Sequence, residues 1–247
     1  MTRPILVVKV GTSTLLGTHE QPSVTFDYVA KSIRELKLKY DVVLVTSGAI
    51  GFGVRQMGLL ARPHEVHDLQ ALSMIGQVGL LRRWREAFEG VTVGQVLVTR
   101  QDLERATTAG LFRQSVRSVW GYGALPIVNE NDAVSTEEIS FGDNDRLAAE
   151  VAVALGAEKL VILTDQDGIQ AEFGTANQQR LGQVHIDEID GHIQATKSTM
   201  GKGGASSKVQ AARVALDAGV EVFIAHAARM GSVQAVLAGK AGTKIVQ

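Results

Sequence analysis

The chain contains no cysteine, which removes disulfides, thiolate nucleophiles and Cys-ligated metals from consideration. It has only 4 prolines and no Pro/Ser-rich stretch that reads as a linker. An excess of one charge is missing too. Lys and Arg together number 25 against 26 Asp and Glu, which disfavours a nucleic-acid binder that relies on a broad basic surface. Long hydrophobic runs are also absent: Ile5–Val8, the longest near the N-terminus, is far too short for a signal peptide or a membrane span. The expectation is a soluble, cytoplasmic protein with no membrane and no nucleic-acid partner. Aromatic residues make up 5% of the chain, against 45% hydrophobic residues overall and 26 glycines. That balance suits a sheet packed with Val, Ile, Leu and Ala and joined by tight loops. A length of 247 residues accommodates one large α/β domain with a continuous core.

Short apolar strands alternate with longer helical segments, the pattern of βαβ units and a parallel sheet. Strands are predicted at Ile5–Val10, Val42–Thr46, Val91–Val98, Leu125–Val128, Leu160–Leu163, Glu221–Ile224 and Lys244–Val246. Helices are predicted at Asp27–Tyr40, Val66–Glu89, Thr108–Trp120, Asn144–Leu155, Ser206–Ala218 and Ser232–Leu237, with a loop-and-hairpin region over Gln170–Ile193. The fold class expected is a three-layer αβα sandwich with a mostly parallel central sheet. In open parallel sheets, ligands bind beyond the carboxyl ends of the strands. Gly11-Thr12-Ser13, Ser47-Gly48-Ala49, Asn129-Glu130-Asn131-Asp132 and Thr164-Asp165-Gln166-Asp167-Gly168 all follow predicted strands.

Each chemistry-bearing segment has an ordinary reading beside a functional one. Lys9 is either an edge-strand lysine in water or a cation at a strand end, reaching a phosphate over Gly11. Gly201-Lys202-Gly203-Gly204-Ala205-Ser206-Ser207-Lys208 is either a flexible loop with a capping serine or a phosphate cradle at a helix N-terminus. Its spacing is not that of a P-loop. Asn129–Asp132 is a turn or an ammonium-binding group, and Ser47-Gly48 is a helix cap or a source of amides for a carboxylate. Thr164–Gly168 reads as a tight turn whatever its function. Phe141-Gly142-Asp143-Asn144-Asp145-Arg146 opens a helix that is otherwise Ala, Leu and Val; capping accounts for one or two of its three polar groups, and a third suggests that something is held there. The six histidines, His19, His64, His67, His185, His192 and His226, have no metal-ligand spacing.

Taken together and in order, these motifs identify the sequence as resembling the amino-acid kinase family, from Val7 to about Gly242. Val8-Lys9-Val10-Gly11-Thr12-Ser13, Val45-Thr46-Ser47-Gly48-Ala49-Ile50, Val128–Ala133, Gly142-Asp143-Asn144-Asp145 and Leu163-Thr164-Asp165-Gln166 carry the match. Asn-Glu-Asn-Asp followed by Gly-Asp-Asn-Asp is the mark of the branch that phosphorylates the side chain of glutamate at the start of proline biosynthesis. The resemblance implies ATP as donor and Mg²⁺ carried on the nucleotide, with no metal ligand named among the residues. It gives Lys9 and Lys208 the task of neutralising the phosphoryl group, with Asp145 holding both. Ser47, Asp132 and Asn144 are implied to bind glutamate, with Gly48, Ala49 and Asn129 close by; Asp143 is a cap that could also line the pocket. Gly11, Thr164, Asp165 and the segment Lys202, Gly203, Gly204, Ala205, Ser206, Ser207, Lys208 are implied to bind the nucleotide. About 1–150 would then serve the amino acid and 151–247 the nucleotide.

The resemblance further implies a homo-oligomer, proline as a feedback inhibitor, and a form without the C-terminal PUA domain of many relatives. The departures lie on the nucleotide side. Where the family usually reads Gly-Thr-Gly-Gly-Met-x-Thr-Lys, Lys202 replaces the first threonine, Ala205 the methionine and Ser207 the second threonine, and Gln170–Gly174 replaces a Tyr-Thr-x-Asp-Pro stretch. Ala225–Gly231 is a loose version of a Gly- and Pro-containing turn. Two other readings stand beside this one: the same fold with aspartate, N-acetylglutamate, carbamate or a nucleoside monophosphate as acceptor, and a catalytically weak sensor of glutamate or proline.

Overall fold

The computed structural model describes residues 3–17, 24–135, 144–172, 175–189 and 204–247. Its strands are β1 (Ile5–Val10), β2 (Asp41–Val45), β3 (Val93–Val98), β4 (Leu125–Glu130), β5 (Lys159–Thr164), β6 (Gln170–Ala171), β7 (Gln179–Arg180), β8 (Gln183–His185), β9 (Glu221–His226) and β10 (Thr243–Val246). Eight of them form one sheet in the order β3-β4-β2-β1-β5-β9-β10-β8. Every neighbouring pair is parallel except β9–β10. The predicted hairpin region resolves into the small antiparallel β6–β7 pair followed by the edge strand β8.

β1 is a central strand, bonded to β2 on one side and β5 on the other. From β1 the chain lays down β2, passes to the edge strand β3, returns to place β4 between β3 and β2, and then crosses over to lay β5 on the opposite flank of β1. That reversal beside β1 is the switch point at which open α/β sheets form a ligand crevice.

Because strand side chains alternate between faces, β1 feeds two cores. Leu6, Val8 and Val10 pack on one side with Phe26, Val29, Ile33, Trp84 and Phe88. Those partners come from the helices Thr25–Leu36 and Val66–Ala87 and from the residue that caps the second. Val7 points to the other side, toward Leu147, Ala148, Val151 and Leu155 of the helix Asp145–Leu155. The helix Gly204–Asp217 adds Val209, Ala211, Ala212 and Ala215 to that layer. Lys9 has the parity of Val7, so it too faces the layer that contains Asp145.

The helix Ala49–Gln56 is not among the helices predicted from the sequence. Glycine is a poor helix former in isolation, and tertiary packing overrides that preference here. A Cβ on Gly53 would lie 2.0 Å from the Leu72 carbonyl oxygen, and one on Gly76 would lie 2.0 Å from the Ala49 carbonyl oxygen. The two glycines thus let Ala49–Gln56 and Val66–Ala87 meet backbone to backbone. Two short helices, Thr12–Leu16 and Arg100–Glu104, were likewise not expected from the pattern; the second is held by a Thr99–Asp102 capping box. Gly76→Ala is expected to destabilise the protein by about 2 kcal/mol or more through overpacking. Gly110→Ala, on the helix Ala106–Gly121 with nothing within 4 Å of its added Cβ, is expected to be neutral or to stabilise by up to about 1 kcal/mol. Denaturant unfolding of the two variants checks the contrast.

Candidate active site

Lys9 sits near the end of an interior strand and is 1% exposed, which rules out the edge-strand reading. Its Nζ lies 2.5 Å from Asp145 Oδ1, and Asp145 is 0% exposed. Isolating either charge from water would cost several kcal/mol, and only a partner at contact distance offsets that. The other oxygen, Oδ2, accepts from Lys208 Nζ at 2.9 Å and from Ser207 Oγ at 3.2 Å. One carboxylate therefore fixes two ammonium groups. An anion entering between the lysines would meet both. Gly11 keeps the approach open, since a Cβ there would lie 3.3 Å from Lys9 Nζ.

On the β4–β2 side, polar side chains are buried in a row. β4 extends through Asn129 and Glu130, pairing them with Leu97 and Val98, so the tetrad read from sequence as a loop is half strand. Its turn begins at Asn131, whose carbonyl accepts from the Val134 amide. Asn144 precedes the helix Asp145–Leu155 but makes no capping bond with its side chain. Its Nδ2 donates instead to the Thr46 carbonyl and to Asn129 Oδ1, both at 2.8 Å. Thr46 is steadied in turn by Trp84, whose indole donates to Thr46 Oγ1 at 2.9 Å.

Ser47 Oγ, Asp132 Oδ1 and Asn144 Oδ1 are buried and have no hydrogen-bond partner among the described residues. Each such orphan costs about 1–3 kcal/mol if left unmet. The carboxylate and the amide carbonyl accept, and the hydroxyl can donate, a set that suits an ammonium group beside a carboxylate. Gly48, with φ of 106°, turns the chain into the helix Ala49–Gln56. Its first amides have no intrahelical acceptor and are available to an anion; the Ser47 hydroxyl does not cap them.

Among the residues that the resemblance implies for the nucleotide, Thr164 ends β5 beside β1, and its hydroxyl donates to Asp165 Oδ1 at 3.0 Å. The helix predicted from Ser206 begins at Gly204, so Gly204 to Ser207 form its first turn and not a preceding loop. Asp143, Lys202 and Gly203 lie outside the described residues, as do His19 and His192. His226 closes β9 half-buried, its Nδ1 accepting from the Ala228 amide. Burial and the neighbouring Arg229 lower its pKa, and sequence reading gave no signal for it. Among the described residues no cluster of His, Asp and Glu could hold a metal ion, and no helix is long and apolar enough to cross a membrane. Thr46, Trp84 and Gln77, whose Oε1 accepts from Asn129 Nδ2 at 2.8 Å, were not singled out from sequence; a polar residue inside a core-facing helix was the available signal for Gln77.

A model of the Amino acid kinase family matches residues 4–226. The chain is 39% identical to glutamate 5-kinase of Rhodococcus jostii over 233 residues, covering 92% of this chain and 64% of that protein. It is 42% identical to glutamate 5-kinase of Mycobacterium tuberculosis over 234 residues, 90% of this chain and 61% of that protein. The chain thus spans a little under two thirds of the length of these relatives. Among solved structures, carbamate kinase from Giardia lamblia bound to AMP-PNP matches with a TM-score of 0.69 at 16% identity, over 99% of this chain and 98% of that one. N-acetylglutamate synthase from Neisseria gonorrhoeae complexed with coenzyme A and L-arginine matches with a TM-score of 0.69 at 20% identity, over 99% and 62%. At such identities these two likenesses speak for the fold, an open αβα sheet of the kind described above.

The burial of Asp132, and next the charge of Glu130, push its pKa up to about 7, with Arg62 acting in the opposite direction. The folded state therefore keeps a proton that the unfolded chain releases in the ordinary carboxylate range. Stability falls as pH rises from that range toward 7 and levels off above it. Asp132→Asn has no charge to desolvate, so the ligand-free variant is expected to melt several degrees above the parent at about pH 8. That gap should narrow as pH falls to about 4. Thermal denaturation across this range checks the sign.

Proposed function

The chain belongs to the amino acid kinase family, and on that premise we propose that it transfers the γ-phosphoryl group of ATP to the side-chain carboxylate of L-glutamate. The product is L-glutamyl 5-phosphate. The observation that carries this reading is the juxtaposition of two unlike sites at one sheet edge. A bank of unmet polar atoms (Ser47, Asp132, Asn144) suits an amino acid, and the Lys9–Asp145–Lys208 triad suits a transferring phosphoryl group. The relatives named glutamate 5-kinase agree with it.

A carboxylate is already a nucleophile at neutral pH, so the reaction asks for alignment and charge neutralisation and not for a general base. A γ-carboxylate oxygen of glutamate forms a bond to the γ-phosphorus as the bond from that phosphorus to the β,γ-bridging oxygen breaks, and ADP leaves with the electron pair. Asp132 and Asn144 accept from the substrate ammonium group. Ser47 and the amides after Gly48 take its α-carboxylate. Lys9 meets the phosphoryl group from β1 and Lys208 meets it from the helix Gly204–Asp217; Asp145 prevents the two cations from drifting apart. Thr164, Asp165 and the first turn of that helix bind the nucleotide. Magnesium carried on the triphosphate would supply further charge neutralisation there when bound. Residues 1–150 chiefly serve the amino acid and 151–247 the nucleotide.

ATP-dependent acyl-phosphate formation, trapped as a hydroxamate across a panel of carboxylate acceptors, tests the reading. Turnover with glutamate is expected; turnover with another acceptor alone, or with none, overturns it. Lys208→Met leaves Asp145 still paired with Lys9, so the fold is expected to survive. It should lower kcat by about 10²- to 10³-fold, the scale of one lost electrostatic stabiliser. Asp145→Ala is a poorer probe, because it strands the buried Lys9 without a counter-charge at a cost of about 3–5 kcal/mol.

We also propose that the protein self-associates. Val66, Met74 and Val78 are 44%, 56% and 73% exposed along the helix Val66–Ala87, at spacings that put them on one face. Sedimentation is expected to give a dimer or larger species; a monomer at all concentrations tested would contradict this.

A further inference from the structure

A chain of side-chain amides runs from the helix Val66–Ala87 into the substrate side of the site, and two backbone groups fix its direction. The Thr46 carbonyl can only accept, so it takes Asn144 Nδ2. The Glu130 amide can only donate, so it takes Asn129 Oδ1 at 2.9 Å. Asn129 Oδ1 also accepts from Asn144 Nδ2. Both amides are thereby oriented without appeal to a ligand. Asn144 is left with its carbonyl oxygen buried and unmet, and Asn129 is left with its Nδ2, which needs an acceptor.

Gln77 supplies that acceptor. Its Oε1 takes Asn129 Nδ2 at 2.8 Å. It can reach because Gly76, the preceding residue, allows this stretch of helix to approach the helix Ala49–Gln56 backbone to backbone. We propose that Gln77 is a positioning residue for the amino group of the amino-acid substrate. By closing the amide chain it holds Asn129, and through Asn129 it holds the Asn144 oxygen toward the ammonium. Gln77 itself touches no substrate atom. The inference rests on the glutamate reading above, with Asp132 and Asn144 facing the ammonium.

Replacing Gln77 by Leu removes the acceptor at similar volume. It leaves Asn129 Nδ2 unmet and the Asn129 side chain free to shift, and Asn144 loses one of its two anchors. Gln77→Glu keeps an acceptor oxygen at the same place. The test compares both variants with the parent, measuring kcat and KM for glutamate, KM for ATP, and turnover of glutarate, which has both carboxylates but no amino group. For Gln77→Leu we expect KM for glutamate to rise about tenfold, the effect of one mispresented hydrogen bond. KM for ATP should stay within about twofold, and the preference for glutamate over glutarate should shrink by a similar factor of about ten. Gln77→Glu should recover most of the affinity and the preference.

A Gln77→Leu protein with the parent's glutamate KM and the parent's preference overturns the inference. So does one in which glutamate, glutarate and ATP are all weakened together, or a Gln77→Glu protein as impaired as the Leu variant. A parent protein that turns over no glutamate is a different failure, because it removes the reading beneath the inference. Circular dichroism and melting temperature of each variant separate these outcomes from simple loss of fold; a Gln77→Glu protein folded like the parent keeps the comparison decisive if Gln77→Leu unfolds.

Discussion

Burying a lysine in the middle of a parallel sheet is the constraint around which the rest of the molecule is arranged. Lys9 could not occupy an interior strand without a carboxylate within contact distance, and Asp145 is that carboxylate. The pairing dictates where the helix Asp145–Leu155 must begin and which layer it must occupy. It also dictates that an acid near the middle of the sequence return to the first strand. Once Asp145 is there, its second oxygen recruits Lys208 and Ser207 from the helix Gly204–Asp217, which ties that helix to the first strand. Hydrophobic packing builds the layers, but the ion pair sets their registration at the working edge.

The αβα class and most strands were legible in the sequence because apolar runs such as Ile5–Val10 and Leu160–Leu163 are bounded by glycine or polar residues. The helix expected at Asp27–Tyr40 was readable from Val29, Ile33 and Leu36 at helical spacing, and it starts two residues earlier and ends four earlier, at Thr25–Leu36. What escaped had a physical reason each time. Ala49–Gln56 owes its helicity to backbone contact at Gly53 and Gly76, a property of two segments together and not of either alone. Asn129 and Glu130 looked like turn formers, yet the ladder with β3 continues through them. Asn144 looked like a cap, but its amide is drawn to Thr46 and Asn129, a preference that local spacing cannot express. The motifs carried the lysines and the acid; the hydrogen-bond network that orients the amides became visible only in three dimensions.

The Ser47–Asp132–Asn144 group and the Lys9–Asp145–Lys208 group at this edge are built on opposite principles. Around Asp145 the ionised groups already hold one another. Around Ser47, Asp132 and Asn144 polar atoms are buried yet left unmet among the described residues, and burial, with the charge of Glu130, keeps the pKa of Asp132 raised. A ligand that meets these atoms restores free energy that folding has given up, so binding and stability are thermodynamically linked here.

The alternation of β1 has one more consequence, for how this strand can change over time. Inserting or deleting one residue among Ile5 to Val8 would send Lys9 to the opposite layer and expel one of the two cores from its face. A change of two residues would keep the face but slide the ammonium by about 6.5 Å along the strand, well beyond the reach of Asp145. The first strand therefore behaves as a ruler with a single permitted length. Substitutions that keep its apolar volume are open to it; insertions and deletions are closed.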